Sequence, residues 1–407
     1  MSDLRDRFDR AITALLPDPP HALGLAVSGG GDSMALLHLA SQWATAHGCA
    51  LHVATVDHGL RPEARAECAM VARRCAGLSV PHDILPWAWD GRGNLQDRAR
   101  QARLDLLRGW AQARGISHIA LGHTRDDQAE TLLMRLKRGS GVDGLAAMAP
   151  ARHDGGLTWL RPLLDLRRSA LRDDLHGIGW DWAEDASNAD TSYERVRIRQ
   201  AIDALGLDVD RLADTAAHMA AARAVLDHAA AQAAQTVVVQ DHGDLVFDRT
   251  RLAASPADTR ERLVAAGLCW VGQSPYRPRL IALRAALESA RATLHGCLLV
   301  QTRDSLRLCR EWNAVADLSA PAPGPWDGRW QIEGPAETGL LTRPLGTDGA
   351  ALTDRASWLV PRDSVLASPA IWQEDRLIAA PLAGFNPEFR AKCRALPPDW
   401  PAPDHAH

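Results

Sequence analysis

Apolar positions in the first two hundred residues switch between two periods, and the switching predicts the architecture. Leu4, Phe8, Ile12, Leu15 and Leu16 recur at helical spacing and stop at Pro17. Residues 23–27 are a short, nearly all-apolar run of the kind a buried parallel strand requires. After a Gly-rich turn at 28–33, apolar positions 34, 36, 37 and 39 return to helical spacing. The same reading predicts a strand over 50–56, a helix over 63–76, a strand over 83–87 and a long arginine-rich helix over 95–114. A fourth strand follows at 116–121, with a helix opening in 122–131. Residues 160–164 read as a last strand and 167–177 as a helix. This alternation calls for a parallel, doubly wound α/β sheet covered on both faces. Ligands of such sheets lie beyond the carboxyl ends of the strands. Loops 28–33, 57–61 and 122–127 all leave that edge.

The pattern changes near Gly206, which closes an N-terminal domain of residues 1–206. Residues 208–235 are alanine-rich and predict a long helix. A hairpin turning at 241–244, two amphipathic helices at 258–268 and 277–287, and a short β pair at 297–308 complete a helical middle domain, 207–318. The Pro-rich stretch 319–325 reads as a linker. Residues 326–407, full of Gly, Pro and short strand-like runs, read as a small β-rich C-terminal domain.

Composition adds exclusions. The 407 residues carry a formal net charge of -4, so a nucleic-acid partner would have to meet a local basic patch. No apolar run is long enough to span a bilayer. Residues 1–7 carry acids and no apolar h-region, unlike a secretory signal. The seven cysteines are scattered with no Cys-x-x-Cys, as in reduced thiols, and the expected compartment is the cytoplasm.

The chemistry begins at Ser28-Gly-Gly-Gly-Asp-Ser33. A strand, a glycine turn and a helix point backbone N–H groups and a helix N-terminus at an anion. Gly29, Gly30 and Gly31 allow close approach, and Ser28 and Ser33 can donate hydroxyl hydrogen bonds. A Walker A loop would need Gly-Lys-Ser/Thr, but the only lysines are Lys137 and Lys392. The motif resembles instead the Ser-Gly-Gly-x-Asp-Ser loop of N-type ATP pyrophosphatases, which split ATP to AMP and pyrophosphate while forming an adenylate.

Companion motifs narrow the resemblance. Val56-Asp-His-Gly-Leu-Arg61, Leu121-Gly-His-Thr-Arg-Asp-Asp-Gln-Ala-Glu130, Arg138-Gly-Ser-Gly141, Arg161-Pro-Leu-Leu164 and the run from Asp185 to Arg199 follow one another as in the tRNA(Ile)-lysidine synthetases. That resemblance implies an adenine nucleotide α-hydrolase-like N-terminal fold. It also implies ligation of free L-lysine to C2 of the wobble cytidine in the CAU-anticodon isoleucine tRNA, through an adenylated cytidine. The alternative is another adenylating PP-loop enzyme acting on tRNA bases, such as a thiolase; the missing cysteine pair argues against it.

The resemblance implies roles too. Ser28, Gly29, Gly30, Gly31, Asp32 and Ser33 would hold ATP, with Asp32 ligating Mg2+. Asp57 and His58 would border the nucleotide. Arg103, His123 and Asp127 would serve adenylation, His123 and Asp127 as an i, i+4 pair on one helix face. Glu130, Arg138, Arg195 and Arg199 would meet substrate or tRNA. Val196 stands where the family usually has Asn. The lysine ammonium calls for an acid, and Glu130, Asp143 and Glu184 remain open. Oligomeric state is not encoded; a homodimer is compatible with these motifs.

Overall fold

A computed structural model of the chain describes residues 2–59, 64–89, 95–154, 156–184, 190–397 and 400–401. It divides into two compact units, one up to Arg223 and one from Ala224 onward. In the first unit, helix α1 (Ser2–Leu15) precedes strand β1 (Ala22–Ala26), α2 (Gly31–His47), β2 (Ala50–Asp57), α3 (Ala64–Gly77) and β3 (His82–Pro86). Then come α4 (Leu95–Ala113), β4 (His118–Leu121), α5 (Arg125–Lys137), the short α6 (Val142–Leu145), β5 (Ala151–Asp154) and β6 (Leu157–Leu160). Helices α7 (Arg168–Gly177), α8 (Glu194–Ala204) and α9 (Val209–Val237) follow, the last running across the division between units.

The sheet order is β3-β2-β1-β4-β6-β5, parallel except for the β5–β6 pair. The strand order reverses at β1 and β4, which makes their carboxyl ends the crevice of this fold. Period-two alternation along β1 explains its two packed faces. Leu23 and Leu25 join Met34, Leu36, Leu37 and Trp43 in one core, whereas Ala26 joins Leu107, Trp110 and Trp159 in another. On that second face only glycine fits at position 24, since a Cβ would lie 2.9 Å from the Trp110 ring.

Two expectations change. Residues 161–164 form turns, not a strand: Pro162 has no N–H to give a ladder, so β6 stops at Leu160. The sheet ends instead on antiparallel β5, whose polar Ala-Arg-His-Asp sequence carries no strand signal.

In the second unit β7 (Val238–Asp241), β8 (Asp244–Asp248), β9 (Arg291–Leu294), β10 (Cys297–Gln301) and β11 (Ser305–Arg310) form an antiparallel sheet in the order β7-β8-β11-β10-β9. It is accompanied by helices α10 (Arg249–Ala254), α11 (Ala257–Gly272) and α12 (Leu280–Glu288). Residues 319–325 are no linker. They supply β12 (Ala320–Pro321) and the start of β13 (Gly324–Trp326), the edge strands of two further sheets. Edge positions are where proline is tolerated, because one side of the strand needs no ladder donors. Those sheets contain β14 (Trp330–Glu333), β15 (Leu340–Pro344), β16 (Pro369–Gln373), β17 (Arg376–Ala379) and β18 (Arg390–Cys393). Within this unit the β7–β8 turn is pinned by close approach, since a Cβ at Gly243 would sit 2.3 Å from Trp330 Cζ2. The Gly243 carbonyl accepts a 2.6 Å hydrogen bond from buried Arg329.

One glycine in the first unit governs the crevice. A Cβ at Gly122, just after β4, would lie 3.1 Å from Asp32 O and from Ser33 N and Cα, all backbone atoms. Gly122→Val should therefore overpack the junction and cost about 1–3 kcal/mol of stability. A lowered urea midpoint at unchanged m-value is the expected reading; an unchanged midpoint would show that the loop yields freely.

Candidate active site

The loop between β1 and α2 is held by its own side chains. Gly29 has φ +90, a left-handed conformation that favours glycine, and Gly30 is an extended N-cap to α2. Ser33 Oγ accepts from Ser28 N at 3.1 Å and donates to Gly30 O at 2.9 Å, so this hydroxyl cinches the loop. From the other side, Ala183 N donates to Gly29 O at 2.9 Å and residue 183 bridges Gly30. The first turn of α2 lines a cavity of about 460 Å3, where its backbone N–H groups have no intrahelical acceptors.

Charge dominates the walls. Arg103, Arg168, Arg172, Arg195 and Arg199 line the cavity together with Asp32, His123 and Asp127. Arg168 links three carboxylates: Nε to Asp32 Oδ2 at 2.9 Å, Nη2 to Asp127 Oδ1 at 3.2 Å and Nη1 to Glu130 Oε1 at 3.3 Å. Its backbone N–H caps onto Asp126 at 2.8 Å. Glu130, almost wholly buried, also meets Arg199 at 3.0 Å and Arg195 at 3.2 Å. Arg103, half-buried on α4, has no carboxylate partner among the described residues. Arginines outnumber carboxylates here, which suits a polyanionic ligand.

The ionisable groups respond to burial first. Burial pushes the Asp32 carboxyl above its usual range, and Arg168 only partly opposes this. At Asp127 burial acts the same way but is outweighed by Arg168 and Arg195, which hold that carboxyl below the usual range. Burial drives His123 far below the ordinary imidazole range against the pull of Asp127; Arg161, Arg103 and Arg195 add to the depression. His123 is therefore neutral near neutral pH, and its Nδ1 is buried without a hydrogen-bond partner.

A PP-loop domain matches residues 4–205. Over 391 residues the chain is 45% identical to the tRNA(Ile)-lysidine synthase of Ruegeria pomeroyi, covering 94% of this chain and 93% of that relative. The chain belongs to the tRNA(Ile)-lysidine synthase family. The synthase of Methylobacterium nodulans is 39% identical, covering 75% of this chain and 96% of its own length. That of Wolbachia sp. subsp. Brugia malayi is 33% identical, covering 79% of this chain and 80% of its own. The likeness to lysidine synthases thus extends past the PP-loop domain into the second unit.

In this lysidine synthase family member, Ser28, Gly30, Gly31, Asp32, Ser33, Arg103, His123, Asp127, Arg195 and Arg199 come together around one cavity. Gly29 shapes the loop from behind, and Glu130 lies beneath the wall rather than on it. Asp57 and His58 stand at the end of β2, outside this lining; Asp57 Oδ1 accepts from Gly59 N at 2.9 Å, and His58 meets Trp87 edge-on at 5.5 Å. Arg138 is exposed at the end of α5, pairing with Glu194 alongside Lys137. Val196 is buried in α8, between cavity-lining Arg195 and an Arg197 that turns to the Thr191 and Ser192 carbonyls. Leu60, Arg61, Asp185, Ser187 and Asn188 lie outside the described residues.

The helix-face pairing of His123 with Asp127 does not hold. Thr124 is the extended N-cap of α5, so His123 precedes the helix. Asp127 Oδ2 instead accepts from Thr124 N at 2.8 Å and Thr124 Oγ1 at 2.9 Å, closing a capping box. Arg168 and Arg172 line the cavity but carry no motif that singles them out in the sequence. Nothing local separates Arg168 from neighbouring Arg167, which turns to Asp210 at 2.9 Å. Only the count of acids in the 122–131 loop hinted that a cation must face them.

Two outcomes follow from these charges. Arg168→Met strips counter-charge from three carboxylates and should cost about 3–5 kcal/mol, the loss typical of a broken buried ion cluster; denaturant unfolding with a loss under about 1 kcal/mol would contradict this. For His123 the folded pKa lies below that of the unfolded chain. Its stabilising contribution is full above the unfolded value of 6.5 and is lost as pH falls toward the folded one. His123→Gln should therefore lose less stability than the parent between about pH 7 and about pH 5. Parallel stability-versus-pH curves would overturn it.

Proposed function

We propose that this chain, a carbon–nitrogen ligase acting on tRNA with ATP, joins free L-lysine to C2 of the wobble cytidine of CAU-anticodon isoleucine tRNA. The products are lysidine, AMP and pyrophosphate. The observation that carries the reading is the cavity's mixed lining, in a member of the lysidine synthase family: the α2 N-terminus, Arg103 and hydroxyl donors are available to a triphosphate, and Asp127 to an ammonium group.

In the first step cytidine O2 attacks the α-phosphorus and the bond to pyrophosphate breaks. Ser28 and the first turn of α2 hold the phosphates, and Arg103 supplies a cation that has no carboxylate partner among the described residues. Asp32 fits a magnesium site, because its Oδ1 is buried without a hydrogen-bond partner while Oδ2 is anchored to Arg168. Magnesium bound there would neutralise phosphate charge. Asp127, on the cavity wall, draws in the lysine ammonium, while Glu130 behind it holds Arg168, Arg195 and Arg199; the ammonium must shed a proton before its lone pair attacks C2. AMP then leaves. Neutral His123 contributes a hydrogen bond, not a charge. Of the acids left open by the sequence, Glu184 is exposed and 3.9 Å from Arg172, and Glu130 is buried against three arginines. Arg138, Arg195 and Arg199 are the proposed contacts to tRNA. A thiolase reading has less support, since no cysteine is among the residues lining this cavity.

Incubating the full chain with ATP, magnesium, labelled lysine and that tRNA should place label in the tRNA. Sulfur transfer, or ATP turnover without label, would refute the assignment. Asp32→Ala should lower pyrophosphate release by about 100-fold or more while leaving tRNA affinity within about twofold. Lost tRNA binding with normal pyrophosphate release would contradict its role.

A further inference from the structure

We propose that Arg172 receives the pyrophosphate leaving group and that Trp182 is the positioning residue that keeps its guanidinium beside the α2 N-terminus; this rests on the ATP-cleaving reading above. Arg168 and Arg172 lie one turn apart on α7 and both line the cavity. Their charges are committed differently. Arg168 is consumed by Asp32, Asp127 and Glu130. Among the described residues Arg172 pairs with one carboxylate, that of exposed Glu184, at 3.9 Å, beyond hydrogen-bonding range. Its Nε is buried without a hydrogen-bond partner, a state that costs free energy until an acceptor arrives.

What holds Arg172 in place is aromatic. Its guanidinium lies 5.8 Å from the centroid of Trp182, and His176 meets that indole edge-on at 4.6 Å. Trp182 in turn abuts the loop: a Cβ at Gly31 would be 3.4 Å from Trp182 Cδ1. The next residue, Ala183, is hydrogen-bonded to Gly29. The loop, the indole and the guanidinium are therefore fixed to one another, and the cation faces the residues that would hold the β- and γ-phosphates.

The step requires such a charge. As the bond from O2 to the α-phosphorus forms, the bond from that phosphorus to the bridging oxygen breaks, and its electron pair leaves with pyrophosphate. A preorganised guanidinium on the loop side stabilises the charge gathering there.

Calorimetric titration of the full chain with magnesium pyrophosphate, and separately with AMP, tests this. Arg172→Gln should weaken pyrophosphate binding about tenfold or more, the effect of one charge-assisted hydrogen bond, and leave AMP binding within about twofold. Arg172→Lys, which keeps the charge and the side-chain stem, should recover part of the loss. Trp182→Leu should weaken pyrophosphate binding when Arg172 is present and add little in the Arg172→Gln background, the non-additivity expected of a positioning residue. Unchanged pyrophosphate affinity in Arg172→Gln would overturn the proposal, and so would an equal loss for AMP. If Arg172→Gln does not fold, Arg172→Lys decides: pyrophosphate affinity lowered by less than about tenfold with AMP affinity within about twofold supports the role, and unchanged pyrophosphate affinity or an equal loss for both ligands refutes it. These titrations need neither tRNA nor lysine, so failure of lysidine formation would sink the functional reading and leave this one standing.

Discussion

The arrangement around the crevice depends on one guanidinium. Arg168 joins Asp32 at the start of α2 to Asp127 and Glu130 on α5, across the point where the strand order reverses. Burying so much charge is unfavourable unless geometry satisfies it, and the planar fork of arginine is suited to several acceptors at once. Arg168 occupies one oxygen of Asp32, and the other is left buried without a hydrogen-bond partner. The same contact leaves Asp127 ionised and keeps α5 against the phosphate loop. The ligand site is the residue of valence that this cluster does not use.

Where a signal is local, the sequence already carried it. The all-apolar β1 with its glycine turn and the helical spacing of α2 depend on neighbours within a few positions. That the strands run parallel follows from their helical connections. The Pro-rich edge strands β12 and β13, and polar β5, were illegible because their pairing depends on distant partners rather than on their own composition. The site divides the same way. The phosphate loop is a contiguous motif; Arg168 acquires its role from a carboxylate 136 residues away. His123 and Asp127 have helical spacing, yet Thr124 starts the helix between them, and a cap is decided by backbone conformation rather than by interval.

The second unit uses buried charge for a different end. Asp327, almost fully buried, holds both Arg310 and Arg329, and Arg329 reaches the Gly243 carbonyl. Asp244, in β8, accepts from Ser364 and Arg307. These contacts join the five-stranded sheet to the segments beyond residue 318, so the proline-rich stretch between them is woven into the unit. Two hydrophobic clusters, one around Trp326, Ile332 and Ile371 and one around Phe247, Leu263 and Leu299, form its cores, and these contacts cross-link the short strands around them.

Arg125, Asp126 and Asp127 are consecutive, yet each serves a different element: Arg125 pairs with Asp210 of α9, Asp126 caps α7, and Asp127 closes its own helix and meets Arg168. A helix turns by about 100° per residue. Loss or gain of a single codon here would swing all three side chains off their partners at once, so the first turn of this helix has no freedom of register.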